Sequence, residues 1–471
     1  MCRKEKEMNE FWDVGVWGGM NVFALMLLGM LVATLLKKSA TVLRESLIPT
    51  SVLAGGVILL VSGVYKAFSG ISLFETPFMG NEGFTILETI TYHALALGFI
   101  ASTFESSDGN SAPGRKAEIL NTGITTVGTY LLQAITGIGI TILVSEFIVD
   151  FFPAAGMILP FGYGQGTGQA MNYGTIYETQ YGFQGGKSFG LTIATFGFIS
   201  ASLGGVLYLS WLKRKNKLVK QDNGTMKSAM EKSQKQDEIP LFENMDTLSV
   251  QFTFIFGCYM LTYAILYVLG ELLPGMRSII YGFNFLIGVV VTTGVKKLIH
   301  TLEERKILKK HYVNDFLMVR LRNVFYDVMV VAGISAIRVS TMESYVGVLC
   351  VVCVAGMVMT FVYNRLVAHI LFKDYEEEQF VAMYGMLTGT ASSGLVLLRE
   401  LDGEFKTPVS DNLIYQNIPA IIFGFPLMLI AAAAPEDPVG TLMIAVAFFV
   451  FLNLLLFRAQ IFGWIKREKK K

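Results

Sequence analysis

Two glycine-rich stretches carry residues of the right type and spacing for ligand chemistry. The first reads Phe161-Gly162-Tyr163-Gly164-Gln165-Gly166-Thr167-Gly168-Gln169-Ala170, and the second reads Tyr384-Gly385-Met386-Leu387-Thr388-Gly389-Thr390-Ala391-Ser392-Ser393-Gly394. Both fit aromatic-Gly-x-x-x-Gly-Thr. Glycine lets a chain turn sharply and lets a ligand approach the main chain. Freed carbonyls, with the hydroxyls of Thr167, Thr388, Thr390, Ser392 and Ser393, can coordinate a desolvated sodium ion, and amide N–H groups at half-helix N-termini suit a carboxylate. Glycine beside Ser or Thr also serves close helix packing, but a matched pair of such stretches favours a binding site. The candidate substrate contacts are Gly164, Gln165, Gly166, Thr167, Gly168, Gln169, Asn172, Gly389, Thr390, Ser392, Ser393 and Arg338. The candidate sodium ligands are Thr167, Thr388 and Thr390. Gln416-Asn417, near Pro419, are further polar groups that could line the cavity.

The elements that must position these residues follow from composition. The chain has 471 residues, 53% hydrophobic and 16% charged, a balance that belongs to a membrane protein rather than a soluble domain. Runs long enough to cross a bilayer lie near Trp17–Leu36, Ile48–Tyr65, Phe84–Phe104, Ile119–Val149, Ser188–Trp211, Thr247–Gly270, Pro274–Leu298, Asn323–Thr341, Glu343–Phe372, Asp411–Ala433 and Val439–Trp464. The two glycine-broken stretches, Pro153–Asn172 and Gln379–Leu398, fall between spans. No cleavable leader precedes the first span, so it is expected to stay in the membrane.

Basic residues sort cleanly by loop. Lys37, Lys38, Arg44, Arg115, Lys116, Lys213 to Lys220, Lys296 to Lys310, Lys373 and the tail Lys466 to Lys471 fall on one side; little beyond Arg3, Lys4, Lys6, Lys66 and Lys187 falls on the other. The positive-inside bias then places the N-terminus outside and the C-terminus inside, in the cytoplasmic (inner) membrane. The polar segment 212–246 reads as a flexible cytoplasmic linker.

On each side of that linker the order of elements is the same: three spans, a long fourth span, a glycine-broken stretch and a fifth span. The shift is roughly 220 to 240 residues. The first half starts outside and the second inside, so the copies must be inverted, one broken stretch entering from each face, as in secondary transporters. The expected fold is all-α and polytopic. Residues 1–211 form the first repeat with a re-entrant segment at 153–172, and 247–433 form the second with a re-entrant segment at 379–398. Residues 438–471 add an extra span and a basic tail.

Ionisable groups inside spans are functional candidates, although near helix ends they more often snorkel or pair. Glu88, His93, Asp327, Arg338, Arg365 and His369 are of this kind, and the polar Asn364 is weighed with them. Asp327 and Arg338 favour snorkelling or an inter-helix ion pair; Arg338 is also the best partner within a span for a carboxylate, which a guanidinium binds bidentately. Arg399 and Glu400 favour a solvated end over a gate, and lone His93 favours packing over metal binding. Cys258, Cys350 and Cys353 sit in apolar runs and suggest neither disulfides nor zinc.

No His-Glu-x-x-His occurs and there are only four histidines, so the chain is not read as an enzyme and no cofactor beyond a coupling ion is expected. No nucleic-acid footprint is present. An ion channel is the competing class, because Gly162-Tyr163-Gly164 echoes a potassium filter. The preceding Thr and Val are absent, however, and a filter needs identical copies around an axis.

The sequence resembles the glutamate:sodium symporter family, whose first signature is of the type Gly-Gly-His-Gly-Thr-Gly-Ala-Ala. Here Gly164-Gln165-Gly166-Thr167-Gly168-Gln169-Ala170 occupies that place. Ile48-Pro49-Thr50-Ser51-Val52-Leu53-Ala54-Gly55, Gln133-Ala134-Ile135-Thr136-Gly137-Ile138-Gly139 and Ala194-Thr195-Phe196-Gly197 are similar to further family segments. The resemblance runs along most of the chain. It implies sodium-coupled symport of glutamate or a related small carboxylate, with a homodimer in the lipid bilayer expected. Three departures bear on the solute: Gln165 replaces the family's histidine, Leu387 to Gly394 depart from its Gly-His-x-Gly-Phe-Gly pattern, and the eleventh span is additional. A sodium-coupled transporter of a different small solute therefore stays open.

Overall fold

The computed structural model describes residues 11–105, 115–149, 151–214, 246–308, 312–341, 343–403 and 406–461. Most of the expected linker 212–246, the basic tail from 462 onward, and Arg3, Lys4 and Lys6 lie outside the described residues. Every regular element among the described residues is helical, as expected where a bilayer leaves no water to satisfy the main chain. The first half holds α1 (Val14–Ser39), α2 (Thr50–Ser69), α3 (Gly83–Phe104), α4 (Lys116–Ser145), α5 (Leu159–Gln165), α6 (Thr167–Tyr181) and α7 (Gly186–Arg214). The second holds α8 (Thr247–Leu272), α9 (Arg277–Gly282), α10 (Asn284–Glu304), α11 (Asp315–Ser335), α12 (Val346–Leu371), α13 (Glu376–Thr388), α14 (Ala391–Arg399), α15 (Val409–Tyr415) and α16 (Asn417–Ala433). α17 (Pro438–Leu456) follows.

Among the described residues nine helices are long and apolar enough to cross a membrane, or ten if α15 and α16, bent by 50° at their junction, make one span. The eleven spans expected from hydropathy therefore need one correction. The eighth, Asn323–Thr341, forms as α11 but runs from Asp315 to Ser335, which leaves Arg338 beyond its end, and it is too charged to pass on its own. Its neighbours explain how it is tolerated, since α11 packs along α3 and α2 and meets protein rather than lipid on those sides.

Packing sorts the helices into two groups. α3 lies against α11, α2 against α11, α10 against α3, α1 against α2, and α8 against α10. In the other group α4 is central, contacting α5, α12, α16 and α17, while α7 packs on α5, α6, α12 and α13. α6 bridges the groups through α3, α9 and α11. The outward faces of α1 and α8 carry apolar side chains such as Leu27, Leu31, Met260 and Val268, the surface a lipid-facing helix presents.

The core around the broken helices is aromatic. Tyr163, Tyr173, Tyr177 and Tyr384 are all but fully buried. Each hydroxyl donates to a main-chain carbonyl on a neighbouring helix: Tyr163 to Cys353 (2.6 Å), Tyr173 to Met428 (2.9 Å), Tyr177 to Ala431 (2.6 Å) and Tyr384 to Ser200 (3.0 Å). Buried tyrosines thus fill volume and satisfy their polar ends together.

Candidate functional site

The first break lies at Gly166, between α5 and α6. Its φ of 85° and ψ of −172° suit glycine almost alone. No side chain caps α6, so the N–H groups of its first turn have no helical partner and form a positive pole. Thr167 Oγ1 donates to Met329 O on α11 (3.4 Å). A Cβ on Gly168 would lie 2.8 Å from both Leu95 and Met329, so glycine here lets α6 approach α3 and α11 closely. Gln169 is 1% exposed, and neither its amide oxygen nor its amide nitrogen has a protein partner. From α4, Tyr130 covers Gly164 and donates to its carbonyl (3.1 Å).

The second break lies at Gly389, between α13 and α14. Here φ is −133°, so glycine is needed for space. A Cβ would meet Ser393 Oγ at 3.0 Å and Ala201 Cβ at 3.1 Å. Thr390 caps α14, accepting from Ser393 N (3.3 Å), and the hydroxyls of Thr390 and Ser393 are 3.3 Å apart. Thr388 Oγ1 donates to Tyr384 O (2.7 Å), and Gln133 Nε2 of α4 donates to Leu387 O (2.9 Å). Ser392 is exposed and Ser393 buried.

The two breaks share α7. A Cβ on Gly197 would lie 2.4 Å from Thr388 O and 2.7 Å from the Tyr163 ring, so this glycine allows both broken helices to press on one point. Thr167 and Thr390 nevertheless keep different company: the first meets Met329 and Gly333 of α11, the second meets Ser393. One and a half turns along α6, Asn172 Nδ2 donates to Gly282 O (2.6 Å), at the joint between α9 and α10. Gln416 accepts from Thr126 Oγ1 (2.9 Å) and donates to Asn417 Oδ1 (3.1 Å).

Of the charged groups singled out along the spans, Glu88, Arg338 and Arg365 are paired, whereas Asp327, within α11, makes no ion pair among the described residues. Arg338 Nη1 is 2.6 Å from Glu88 Oε1, Lys187 Nζ is 2.9 Å from Glu88 Oε2, and the Arg338 guanidinium stacks over Phe84. The ion pair weighed for Arg338 therefore forms, but from the segment after α11 rather than from the helix, and Lys187 adds α7 to it. Arg365 pairs with Glu376 and Glu377, and His369 faces Glu376. His93 Nδ1 bonds the Tyr259 hydroxyl, the packing role expected for it. Just past α3, Glu105 pairs with Arg322 (2.7 Å); burial raises its carboxyl above the ordinary range, and the Arg322 charge partly opposes that rise. Lys213 and Glu400, 3.9 Å apart, are both well exposed. Among the described residues no group of three or more His, Cys, Asp or Glu could hold a metal ion, and Cys258, Cys350 and Cys353 are free thiols.

Sequence reasoning missed the part played by α4. Gln133 entered only as part of a resemblance, and Tyr130 not at all. A signal was present: Thr122, Thr126, Thr129 and Gln133 recur at three- and four-residue spacing, which puts them on one helical face. All four are buried.

Apolar helices enclosing buried polar breaks and paired charges make this a multi-pass helical membrane protein with a polar interior. The chain belongs to the sodium/glutamate symporter family, whose model matches residues 18–394. A comparison with curated proteins finds no match. The family match ends inside α14, so α15, α16 and α17 lie beyond it. Membership makes the chain a transporter, with sodium as coupling ion and glutamate as the family's solute.

Proposed function

We propose that the chain carries glutamate or a related small carboxylate inward with sodium by alternating access, using the breaks at Gly166 and Gly389 as its transport site. The observation that carries this reading is the first break. An uncapped helix N-terminus, suited to a carboxylate, adjoins a fully buried Gln169 amide that has no protein partner. Buried polar groups are almost always satisfied, and a polar solute at the end of α6 would satisfy this one. Gly164, Gln165, Gly166, Thr167, Gly168 and Gln169 would form the solute side, with Gly389, Thr390, Ser392 and Ser393 opposite. Thr167, Thr388 and Thr390 would offer oxygens to sodium. Asn172 and Arg338 would reach a solute only by exchanging Gly282 and Glu88 for it.

The contact pattern supports two inverted halves. α2 packs on α11 as α10 packs on α3; α3 meets α11, and α4 meets α12. Each is a pairing that a two-fold axis in the membrane plane would generate. In this reading 1–211 and 247–433 are the repeats, α5–α6 and α13–α14 are re-entrant, and the N-terminus faces outward across the cytoplasmic membrane. The group of α1, α2, α3, α8, α10 and α11 would act as a scaffold, forming the homodimer contact, against which the rest rocks.

Uptake into liposomes tests the proposal. Radiolabelled glutamate should accumulate with an inward sodium gradient, and equal uptake on potassium or proton gradients would refute sodium coupling. T167W should abolish uptake while the protein still inserts; retained uptake would remove the first break from the site.

A further inference from the structure

α4 and α12, the long fourth helices of the two halves, carry the same polar pair one turn apart: Thr129 and Gln133 on α4, Thr360 and Asn364 on α12. All four side chains are buried, Gln133 to 1% and Asn364 to 2% exposure. They interlock where the helices meet. Gln133 Nε2 donates to Thr360 Oγ1 (2.8 Å) and Leu387 O (2.9 Å); Asn364 Nδ2 donates to Thr360 O (2.9 Å) and Thr129 Oγ1 (3.3 Å). A main-chain carbonyl can only accept, so these bonds fix which end of each amide is the nitrogen. The opposite ends, Gln133 Oε1 and Asn364 Oδ1, are buried acceptors without a donor.

The surroundings offer oxygens. Thr129 Oγ1 gives its hydrogen to Thr125 O (2.8 Å), which leaves it one lone pair besides the one that accepts from Asn364 Nδ2. Leu387 O belongs to the last turn of α13, whose unpaired carbonyls form a negative pole. Amide, hydroxyl and carbonyl oxygens together are the ligand set of a hard cation, and the absence of a carboxylate among them suits a single charge. Thr122 and Thr126 continue the same face of α4 beside Gln379, whose Oε1 is also without a donor, and Gln416, which gives a polar approach.

We propose that the α4–α12 crossing binds a sodium-sized monovalent cation through Gln133 Oε1, Asn364 Oδ1, Thr129 Oγ1 and Thr360 Oγ1, with the C-terminal end of α13 behind them. The site is distinct from the threonines of the breaks. It deepens the symport reading and rests on it, because a cation held here acts on the carbonyl end of the helix that leads into the second break.

Purified full-length protein, titrated with sodium chloride against choline chloride at constant ionic strength and without glutamate, should melt at rising temperature with sodium and not with potassium. Q133L and N364L should raise the sodium concentration for half-maximal stabilisation at least about tenfold, whereas N364D, which keeps an oxygen, should retain the response. T360V serves as a smaller change if either leucine variant fails to fold. Unchanged half-saturation in folded variants, or an equal response to potassium, overturns the site; if liposome uptake is still sodium-driven, symport survives without it. A wild-type protein with no sodium response also overturns the site, and overturns symport as well when uptake is indifferent to sodium.

Discussion

Glu88 and Arg338 meet at 2.6 Å across α3 and the end of α11, and Glu88 is the less exposed partner, 12% against 29%. One carboxylate therefore serves two cations on two further elements, since Lys187 takes its other oxygen. Removing the shared acid leaves both bases unpaired in a half-buried setting. E88Q should cost about 1–3 kcal/mol, discounted from a fully buried pair for this exposure, and should lower the melting temperature of the purified protein. R338K, which keeps the charge, should lose less. Equal melting of E88Q and wild type would show the cluster to be solvated.

The two break glycines should respond differently to the same substitution. G166A places a Cβ in ordinary van der Waals contact, its nearest neighbour 3.9 Å away, but forces alanine to a φ of 85°, a strain of about 1–3 kcal/mol. G389A has an ordinary sign of φ; the Ser393 side chain it meets can rotate away, and Ala201 Cβ and Gly385 O, each 3.1 Å off, must give by only a few tenths of an ångström. Glutamate uptake should therefore fall far more in G166A than in G389A, measured at matched protein levels in liposomes. The reverse order would contradict this account.

Gln169 separates a structural role from a functional one. A buried amide with no partner is a net cost to folding, so Q169L should keep or raise stability by about 1 kcal/mol. Glutamate binding, read by calorimetry in sodium, should be lost. If Q169L melts lower and still binds glutamate, the amide is part of the packing.

Asp402 ties the turn between α14 and α15. Its carboxylate accepts from Lys406 N (2.8 Å), Thr407 N (2.7 Å) and Thr407 Oγ1 (2.6 Å). Burial alone would raise its pKa, but the Thr407 and Lys406 bonds outweigh that and lower it. A depressed carboxyl pKa stabilises the fold fully above the unfolded-state value and loses that stability as pH falls through the folded value. Acid should therefore lower the melting temperature of wild type more than that of D402N below about pH 4. At neutral pH the variant should melt lower, by the loss of about 1–3 kcal/mol.

Much of the architecture was legible because apolar runs and glycine punctuation are local signals. The breaks fall at Gly166 and Gly389, the glycines that precede threonine in each stretch. α11 was harder, because hydropathy cannot see that Asp315, Arg320, Arg322 and Asp327 lie on a helix flanked by α3 and α2. The partners of Arg338 and Asn172 were invisible for the same reason, since Glu88 and Gly282 are distant in sequence. The α4–α12 crossing is further from reach. Thr129, Gln133, Thr360 and Asn364 are each unremarkable in a helix, and only their pairing in space isolates two oxygens.

The bonds from Tyr130 to Gly164 and from Gln133 to Leu387 fasten one carbonyl beside each break to a single helix. The two anchors stand three positions apart on α4, a rise of about 4.5 Å. α4 is thus a ruler for the distance between the breaks. Inserting a single residue between the anchors would swing one of them through about 100°, and the two halves of the chain would lose their common gauge.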